Sequence, residues 1–399
     1  MNVMDRVVHR DRKQEIKLIK IAVIVPKYGL LGGAERFVYE LTERLSGVED
    51  FAIDVFSNEW SSESRTINFH RIPKVLFPRF FRPVLFAYLT NKMTSSPSYD
   101  LVHSHERIFK MDLMTMHGIP HKTWIREVRH KSLSLFDRCT AWVEKKGFTD
   151  RSTQLVMPVS QLAEREILKL YPMLEGRVRA IHPGIVLEKF KDKKREEIRS
   201  KIRKLYGFSS QDTVVLFVGM NFEIKRLDLI LKAMATLEGE ESRASHLKLM
   251  VVGKGNFKIY KRMVNQLQIA ERVIFAGPSE EVEKFYFASD IFAMPSKFDT
   301  FGMVVLEAMA AGLPPIIAKS VGASDLVEDG VHGFVLESDP SISDMGGALK
   351  RLLDPATRGM MAENARRQAS NETWDCRATQ VEKIYRQIIS EKSRRYGPS

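Results

Sequence analysis

Short apolar runs alternate with helix-length segments along this chain, and this alternation constrains its fold more than any other feature. In the first half, Lys20–Pro26 is a β-branched apolar run, Tyr28–Gly33 is a glycine-bearing turn, and Ala34–Leu45 has apolar residues at helical spacing. Strands that alternate with helices favour a parallel sheet. An α/β domain is therefore predicted, with further strands at Phe51–Ser57, Asp100–His103 and Gln154–Val159.

The same pattern restarts after a charged run at Lys189–Lys204, which predicts a second doubly wound domain. A final segment, Thr373–Lys392, has apolar residues on one helical face and is predicted to pack on a domain. We expect a first domain at residues 1–186, a second at 187–370 and a terminal helical segment at 371–399. The predicted strands of the second half are Thr213–Gly219, Leu247–Gly253, Arg272–Ala276, Asp290–Met294 and Pro315–Ala318.

Length and composition limit the class of protein. With 399 residues, 44% of them apolar, the chain can bury two cores. The two cysteines, Cys139 and Cys376, lie far apart and outside any Cys/His cluster, which fits a reducing compartment and argues against structural zinc. The first twenty residues are highly charged and the longest apolar stretches are interrupted, so neither a secretory signal nor a membrane span is expected. The expected location is the cytoplasm.

The segment 294–314, MPSKFDTFGMVVLEAMAAGLP, carries the strongest chemical signal. Asp299 is expected in a loop after a strand, Gly302 lets the backbone approach a ligand, and Glu307 follows in the next helix. Such a loop and helix start supply amides and two carboxylates that can bind a sugar and a ribose. An isolated acid pair would more often be a surface acid and a helix-stabilising Glu, so the flanking pattern decides for a ligand site.

That flanking pattern, EAMAAGLP at 307–314, resembles the signature of glycosyltransferase family 4, and the resemblance extends from about Lys20 to Ile389. It implies the GT-B fold, an α/β architecture of two Rossmann-like doubly wound domains that face a cleft, with a C-terminal helix crossing back. It also implies that Asp299 contacts the donor hexose and that Glu307 holds the ribose. Asp299 is shorter than the Glu that the family usually has at this position, which leaves the donor sugar open.

Two loops resemble the phosphate-binding loops of the family. Residues 218–226, VGMNFEIKR, resemble the loop after the first strand of the donor domain, which implies that Lys225 binds the diphosphate with Arg226 as a neighbour. Met220 stands where the family often has an arginine. Residues 29–35, GLLGGAE, resemble the first-domain loop whose amides approach the diphosphate. Neither G-x-G-x-x-G nor a P-loop pattern is present, which argues against dehydrogenase-type binding and an ordinary ATPase.

Histidines supply the remaining candidates. His117, followed by glycine, resembles the family's His-Gly segment, which implies a hydrogen bond to the transferred sugar. The segment HER at 105–107 looks like that of relatives of the lipopolysaccharide-core glucosyltransferase I group, so His105, Glu106 and Asp112 are candidate acceptor contacts. His105 and a neighbouring histidine could face one side of a strand as metal ligands, but no third ligand follows at a recognised spacing. We expect no metal and no cofactor other than the nucleotide sugar.

The candidate residues fall into three groups. The catalytic candidates are His117, Lys225 and Asp299. The donor-binding candidates are Gly32, Gly33, Gly219, Lys225, Arg226, Phe275, Asp299, Phe301, Gly302, Met303, Val304 and Glu307. The acceptor-binding candidates are His105, Glu106 and Asp112.

Positive charge is concentrated in one window of a chain whose net charge is +12. Between Arg65 and Arg151 there are sixteen Lys and Arg residues against seven Asp and Glu residues. The stretches 66–99 and 121–146 mix these bases with aromatic residues, a composition typical of segments that lie on anionic lipid. A solvated helix with a buried apolar face would have a similar composition. RNA binding is the weaker alternative, because no RNP, KH or zinc pattern accompanies the charge.

The function expected from these features is retaining transfer of a hexose, first of all glucose, from a UDP-sugar to a membrane-associated acceptor. The acceptor expected from the basic face and the resemblance is a phosphorylated or lipid-linked glycan such as the lipopolysaccharide core, at the inner face of the cytoplasmic membrane. A nucleotide-sugar epimerase of GT-B fold and a non-catalytic nucleotide-sugar or RNA-binding protein stay open as alternatives. The set Lys225, Asp299 and Glu307 argues against a protein without activity.

Overall fold

The computed structural model describes residues 18–29, 32–74, 77–95, 99–191, 194–237 and 245–396. The charged residues 1–17 and two leucines of the predicted glycine loop, Leu30 and Leu31, lie outside these ranges. The strands are β1 (Ile19–Ile24), β2 (Lys27–Tyr28), β3 (Phe51–Ser57), β4 (Glu59–Trp60), β5 (Ile67–Arg71), β6 (Leu101–Ser104), β7 (Leu113–Met116), β8 (Leu155–Pro158), β9 (Thr213–Met220), β10 (Leu247–Lys254), β11 (Val273–Gly277), β12 (Ile291–Met294), β13 (Pro315–Ala318) and β14 (Phe334–Leu336). The α-helices are α1 (Gly33–Leu45), α2 (Arg82–Thr94), α3 (His121–Thr123), α4 (Leu135–Thr149), α5 (Gln161–Leu170), α6 (Arg195–Leu205), α7 (Leu227–Thr236), α8 (Phe257–Gln266), α9 (Glu283–Ala288), α10 (Met303–Ala311), α11 (Ile342–Leu352), α12 (Pro355–Ser370) and α13 (Trp374–Tyr396).

The first domain is built on a six-stranded parallel sheet in the order β5-β3-β1-β6-β7-β8. Its central strand β1 buries Ile21 to Ile24 completely, as a strand covered on both faces must. Helix α1 follows β1 and buries Phe37, Val38, Leu41 and Leu45, the residues whose helical spacing predicted it. A short pair, β2 with β4, lies outside the main sheet.

The second domain repeats this plan with a six-stranded parallel sheet in the order β11-β10-β9-β12-β13-β14. The order reverses between β9 and β12, so the loops that leave their carboxyl ends diverge and open a crevice. Helix α10 leaves the sheet after β12 and buries most of its length, from Val305 to Ala311, beneath the rest of the domain.

The chain crosses between the domains at two adjacent places. The backbone N–H of Ile185 donates to the carbonyl of Glu372 at 2.8 Å, and Ile185 forms a β-bridge with Thr373. A Cβ on Gly184 would lie 2.5 Å from the backbone nitrogen of Trp374, so only glycine allows this approach. After the second crossing, α13 packs along α1 of the first domain. The predicted architecture, two doubly wound domains with a C-terminal helix returning to the first, is confirmed.

The structure corrects the sequence prediction at several strands. β5, β7 and β14 were not predicted, and β5 occupies part of the stretch 66–99 that was interpreted as an interfacial segment. Its residues pair with β3 and form an edge of the first sheet. Within the described ranges, no helix combines the length and apolarity that a membrane span needs.

Candidate functional site

A cavity of about 1100 Å³ lies between the two domains, at the carboxyl ends of the central strands. Volumes of roughly 300–1,000 Å³ are usual for small-molecule sites, so this one has room for a large ligand. The first domain contributes Gly33, Ala34, Phe37, His117, Val159 and Pro183. The second domain contributes Val218, Gly219, Met220, Lys225, Val252, Gly253, Lys254, Pro278, Ser279, Glu280, Val282, Asp299, Thr300, Phe301, Gly302, Met303 and Val304.

Two helices, one from each domain, point their N-termini into this cavity. α1 begins after the N-cap residue Gly32, and α10 begins after the N-cap residue Gly302. Neither glycine makes a side-chain hydrogen bond to the first amides, although at α1 the carboxylate of Glu35 lies beside Gly32. A Cβ placed on Gly33 would lie 3.9 Å from the sulfur of Met303, so the two N-termini are close together. The paired helix dipoles therefore favour an anion between the domains.

Lys225 and Asp299 form an ion pair inside the cavity. The two side chains are 17% and 19% exposed, so ligand can reach both. The loop of Asp299 is fixed by the bond from its backbone N–H to the carbonyl of Ser320 at 3.0 Å. The second oxygen, Oδ1, accepts weakly from the N–H of Phe301 at 3.4 Å. The structure thus brings together the predicted phosphate-binding lysine and the predicted sugar-binding acid.

Glu307 lies one helical turn behind the cavity lining and links the two domains. Its Oε1 accepts from the guanidinium of Arg36 on α1 at 3.1 Å, and its Oε2 accepts from the hydroxyl of Tyr286 at 3.0 Å. Burial raises the pKa of this carboxyl, and the charge of Arg36 opposes the rise. A ribose hydroxyl would have to share these carboxylate oxygens with Arg36 and Tyr286.

A row of three histidines connects the cavity to the returning helix. Nε2 of His117 lies 3.1 Å from Nδ1 of His105, and the rings of His105 and His103 are 4.2 Å apart. Nδ1 of His103 meets the hydroxyl of Tyr385 on α13 at 2.6 Å, and its Nε2 meets the hydroxyl of Thr115 at 2.8 Å. Burial lowers the pKa of His117 to about 4 and that of His103 to about 3, and it also lowers the pKa of His105. All three rings are therefore neutral at physiological pH.

The surroundings of His105 decide which ring nitrogens carry hydrogen. Its Nε2 is buried and has no hydrogen-bond partner among the described residues. A buried N–H without an acceptor costs about 1–3 kcal/mol, so the hydrogen of His105 belongs on Nδ1. His105 then donates to Nε2 of His117, which places the hydrogen of His117 on Nδ1. His117 can offer that N–H to an oxygen of a ligand in the cavity that it lines.

Besides Glu307, six predicted site residues are absent from the cavity lining, namely Gly32, His105, Glu106, Asp112, Arg226 and Phe275. The guanidinium of Arg226 pairs with Asp339 at 2.7 Å, and Phe275 packs edge-on against a neighbouring ring at 5.7 Å. Glu106 accepts from the backbone N–H of the residue that follows it at 2.8 Å. Asp112 is buried and pairs with a lysine of α13 at 3.0 Å. Nothing in these contacts tests their predicted binding roles, which stay predictions.

Sequence reasoning missed three charged residues of the site, one of them Glu280 on the loop after β11. Lys254, at the end of β10, lines the cavity, and Arg36 holds Glu307 across the domains. Arg36 lies far from Glu307 in sequence, so only the folded chain reveals the contact. The GKG at 253–255 was interpreted as the end of a strand, although glycines flanking a lysine at a strand end are a signal for a ligand loop. In the described part of the chain, no group of three His, Cys, Asp or Glu side chains has the geometry of a metal site.

Both halves of the chain match known protein families. Residues 31–189 match the family described as Glycosyltransferase Family 4, and residues 198–368 match the one described as Glycosyl transferases group 1. A D-inositol 3-phosphate glycosyltransferase 2 from Catenulispora acidiphila is 29% identical over 328 residues, covering 76% of this chain and 74% of that protein. A D-inositol 3-phosphate glycosyltransferase from Rhodococcus opacus is 30% identical over 243 residues, covering 59% of this chain and 53% of the relative.

Solved structures share the fold over almost the whole length. WaaG, a glycosyltransferase involved in lipopolysaccharide biosynthesis, has a TM-score of 0.75 at 21% identity and covers 92% of this chain and 99% of its own. HepE from Anabaena, in complex with UDP-glucose, has a TM-score of 0.70 at 20% identity and covers 92% of this chain and 100% of its own. With family matches in both halves and this architecture, the chain belongs to the glycosyltransferases of GT-B fold, its N-terminal half to family 4 and its C-terminal half to group 1.

Proposed function

We propose that this glycosyltransferase moves a hexose, with glucose the first candidate, from a UDP-sugar to a membrane-associated phosphorylated acceptor and retains the anomeric configuration. The observation that carries the proposal is the anion site between the domains, where two glycine-capped helix N-termini meet Lys225. The structural similarity to HepE, which binds UDP-glucose, supports uridine as the base.

The residues of the cavity suit the departure of a diphosphate. As the bond between sugar and phosphate breaks, negative charge grows on the leaving oxygen, where Lys225 and the amides at the start of α10 can stabilise it. Asp299 can accept bonds from sugar hydroxyls and so hold the ring in place. His117 can donate from Nδ1 to a sugar oxygen. Asp299 and Glu280 are the carboxylates among the described residues of the cavity lining, and the proposal assigns neither as a nucleophile and includes no covalent intermediate.

The donor is tested by calorimetric titration of UDP, UDP-glucose and UDP-GlcNAc, with and without magnesium. Binding of a UDP-hexose without magnesium supports the proposal. GDP- and ADP-sugars are titrated in the same way. If only these bind, the proposed nucleotide of the donor is wrong. Failure to bind any nucleotide sugar would contradict a donor site in this cavity.

The substitution Glu307→Ala tests whether Glu307 binds the ribose of the donor. The variant should raise the dissociation constant of the donor sharply, because it removes the carboxylate that we propose to bind the ribose. The same carboxylate accepts a hydrogen bond from Arg36. Glu363→Ala, which removes an exposed acid paired with Arg367, is the matched control and should bind donor like wild type. Equal donor affinity of both variants would contradict the ribose role.

The acceptor is proposed from charge and from relatives. Most of the net positive charge, +8 of +12, lies in the first domain, which suits a phosphorylated acceptor. WaaG is involved in lipopolysaccharide biosynthesis, and several relatives are named for D-inositol 3-phosphate, a compound that carries phosphate. Transfer of labelled glucose should therefore be measured to lipopolysaccharide core and to inositol phosphate. NMR of the anomeric proton of the product tests retention.

A single face of the first domain is proposed to lie on anionic lipid at the inner side of the cytoplasmic membrane. Helix α2 packs against α4, so the two stretches 66–99 and 121–146 meet on one surface. Exposed cations accompany its aromatic residues, which include Phe77 at 84% exposure. The exposed apolar residues of this face are Phe77, Phe80, Phe81, Tyr88, Leu135, Phe136 and Trp142.

Vesicle sedimentation tests this face. Wild type should sediment with vesicles that contain phosphatidylglycerol, less so at high salt, and not with phosphatidylcholine alone. The triple variant Phe77→Ser, Phe80→Ser, Phe81→Ser should lose this binding. The control, Ile259→Ser with Met360→Ser, changes exposed apolar residues of the second domain and should keep it. Equal sedimentation of both variants, or tighter binding to RNA than to vesicles, would contradict a lipid face.

A further inference from the structure

The end of strand β10 places a second lysine in the donor cavity. β9 and β10 pair in parallel with Gly219 opposite Gly253 and Met220 opposite Lys254. A Cβ on Gly253 would lie 1.9 Å from the carbonyl oxygen of Gly219, so the two strand ends approach closely because residue 253 is glycine. Lys254 therefore leaves the sheet directly beside the loop that carries Lys225.

Lys225 packs against Gly219 near the end of β9. Its stem lies against Gly219, with Cγ at 3.5 Å from the position of a Cβ on that glycine. Both lysines line the cavity. The close approach of β9 and β10 thus brings two lysines to the lining of one cavity. Lys225 comes from the loop after β9 and Lys254 from the end of β10.

The two lysines differ in their protein partners. Lys225 forms an ion pair with Asp299, so its charge is balanced within the protein. For Lys254, which is exposed, no hydrogen bond or ion pair is found among the described residues. The other acid of the lining, Glu280, lies on the loop after β11. Met220, across the register from Lys254, is 70% exposed and offers a thioether, which is only a weak acceptor.

We infer that Lys254 is a second phosphate-binding cation of this site, contacting the diphosphate of the donor in addition to Lys225. The inference rests on the proposed function, because it requires a nucleoside diphosphate in the cavity. Each phosphate of such a donor carries one negative charge, and the charge of Lys225 is partly balanced by Asp299, so the site can take a second cation beside Lys225 and the helix N-termini. A lysine binds phosphate as a point charge and needs no fixed geometry.

Calorimetric titration of the full chain with UDP and with uridine tests the inference. Lys254→Ala should weaken UDP binding about tenfold, the loss expected for one charge-assisted contact, and should leave uridine binding unchanged. Lys258→Ala removes an exposed lysine on α8 outside the lining and should bind both ligands like wild type. Adding Met220→Arg to Lys254→Ala should recover most of the UDP affinity, because residue 220 faces residue 254 in the register.

Three results would overturn the inference. Equal UDP affinity of Lys254→Ala and Lys258→Ala would show that Lys254 contacts no phosphate. An equal loss of affinity for uridine and UDP would show that Lys254 supports the loop rather than the diphosphate. If wild type bound GDP or ADP in place of UDP, the same comparison would use that diphosphate with its nucleoside. Failure of wild type to bind any nucleoside diphosphate would refute the proposed function and this inference together.

Discussion

At the scale of single residues, the orientation of His117 depends on His105, a residue that the sequence assigned to the acceptor. His105 is buried, and its Nδ1 faces Nε2 of His117 at 3.1 Å. The contact that the structure gives His105 is therefore one that fixes the tautomer of His117, not one with an acceptor.

The variant His105→Phe should lower kcat about tenfold with little change in the donor dissociation constant, because it removes the bond that holds His117 in one tautomer. Nitrogen-15 NMR should show the His117 hydrogen leaving Nδ1 for a mixture of both sites. His246→Gln, at an exposed histidine just before β10, is the control and should leave kcat unchanged. An unchanged His117 spectrum in His105→Phe would contradict the orienting role.

The buried histidines also make stability depend on pH. The pKa of His117 is about 4 and that of His103 about 3 in the folded protein, whereas both should titrate near 6.5 when unfolded. Between pH 6.5 and about 4 the unfolded chain binds more protons, so the free energy of unfolding falls as the pH falls. Each histidine contributes about 1.4 kcal/mol per pH unit in this window.

Urea unfolding of His117→Gln at several pH values isolates one of these contributions. Compared with wild type, its free energy of unfolding should fall less steeply between pH 6.5 and 4, by about 1.4 kcal/mol per unit. Carboxyls with raised pKa values, such as Glu307, act in the opposite direction but are common to both proteins. Parallel curves for the two proteins would show that His117 is protonated in the folded state.

At the scale of helices and strands, α13 contacts the first domain through interactions that differ greatly in their contribution to stability. The hydroxyl of Tyr385 is buried against His103 at 2.6 Å, whereas Asp375 pairs with Arg44 at the surface and is 82% exposed. Buried hydrogen bonds that lose one partner are costly, while exposed ion pairs contribute little.

Tyr385→Phe should therefore lower the free energy of unfolding by about 1–3 kcal/mol, because it leaves a ring nitrogen of His103 without its partner. Asp375→Ala should change it by less than about 1 kcal/mol. Chemical denaturation of both variants in the same buffer checks the difference. A larger loss for Asp375→Ala than for Tyr385→Phe would reverse this ranking of the contacts.

The elements that the sequence predicted well are those with continuous apolar runs. β3 and β13 agree at both ends, and β9 and β10 differ by one residue at the C-terminal end. β7, with the sequence LMTM, was missed because a run of four residues is too short to show a period. It is a strand because it lies between β6 and β8, a fact of tertiary packing.

The candidate site was predictable where its chemistry is local in sequence. Asp299, Gly302 and the start of α10 follow one another within a single loop, and the structure places them in the cavity together. Arg36 and Tyr385 act on residues more than two hundred positions away, so no local pattern could indicate them. The ring partner of His105, His117, is only twelve positions away, but it follows β7, a strand that the sequence did not predict, and the acceptor role of His105 stays a prediction.

At the scale of the whole molecule, the paired crossings at Ile185 and Thr373 set how the domains meet. Gly184 is essential to this approach, since any Cβ there would contact the backbone of Thr373 and Trp374. Displacing one crossing would change the width of the cleft at a distance, in a reaction that needs its groups aligned.

Gly184→Ala should lower kcat/KM by an order of magnitude or more, because misplacement by about 1 Å can cost about a hundredfold, and should lower Tm. Gly347→Ala on α11 has free space around its Cβ and is the control, with equal or slightly higher Tm. Steady-state kinetics with calorimetry measure both effects. Wild-type kcat/KM in Gly184→Ala would show that the crossings tolerate displacement.

The two glycine-capped helix N-termini lie on different domains, and this limits how such enzymes can be recombined. A chimera that joins residues 187–370 to a first domain from another glycosyltransferase would inherit only half of the amides that we propose to bind phosphate. Its donor affinity would then depend on whether the borrowed first helix also starts at a glycine beside Met303. On this proposal, the affinity for the donor depends on both domains. Replacing the first domain would therefore also change the donor site.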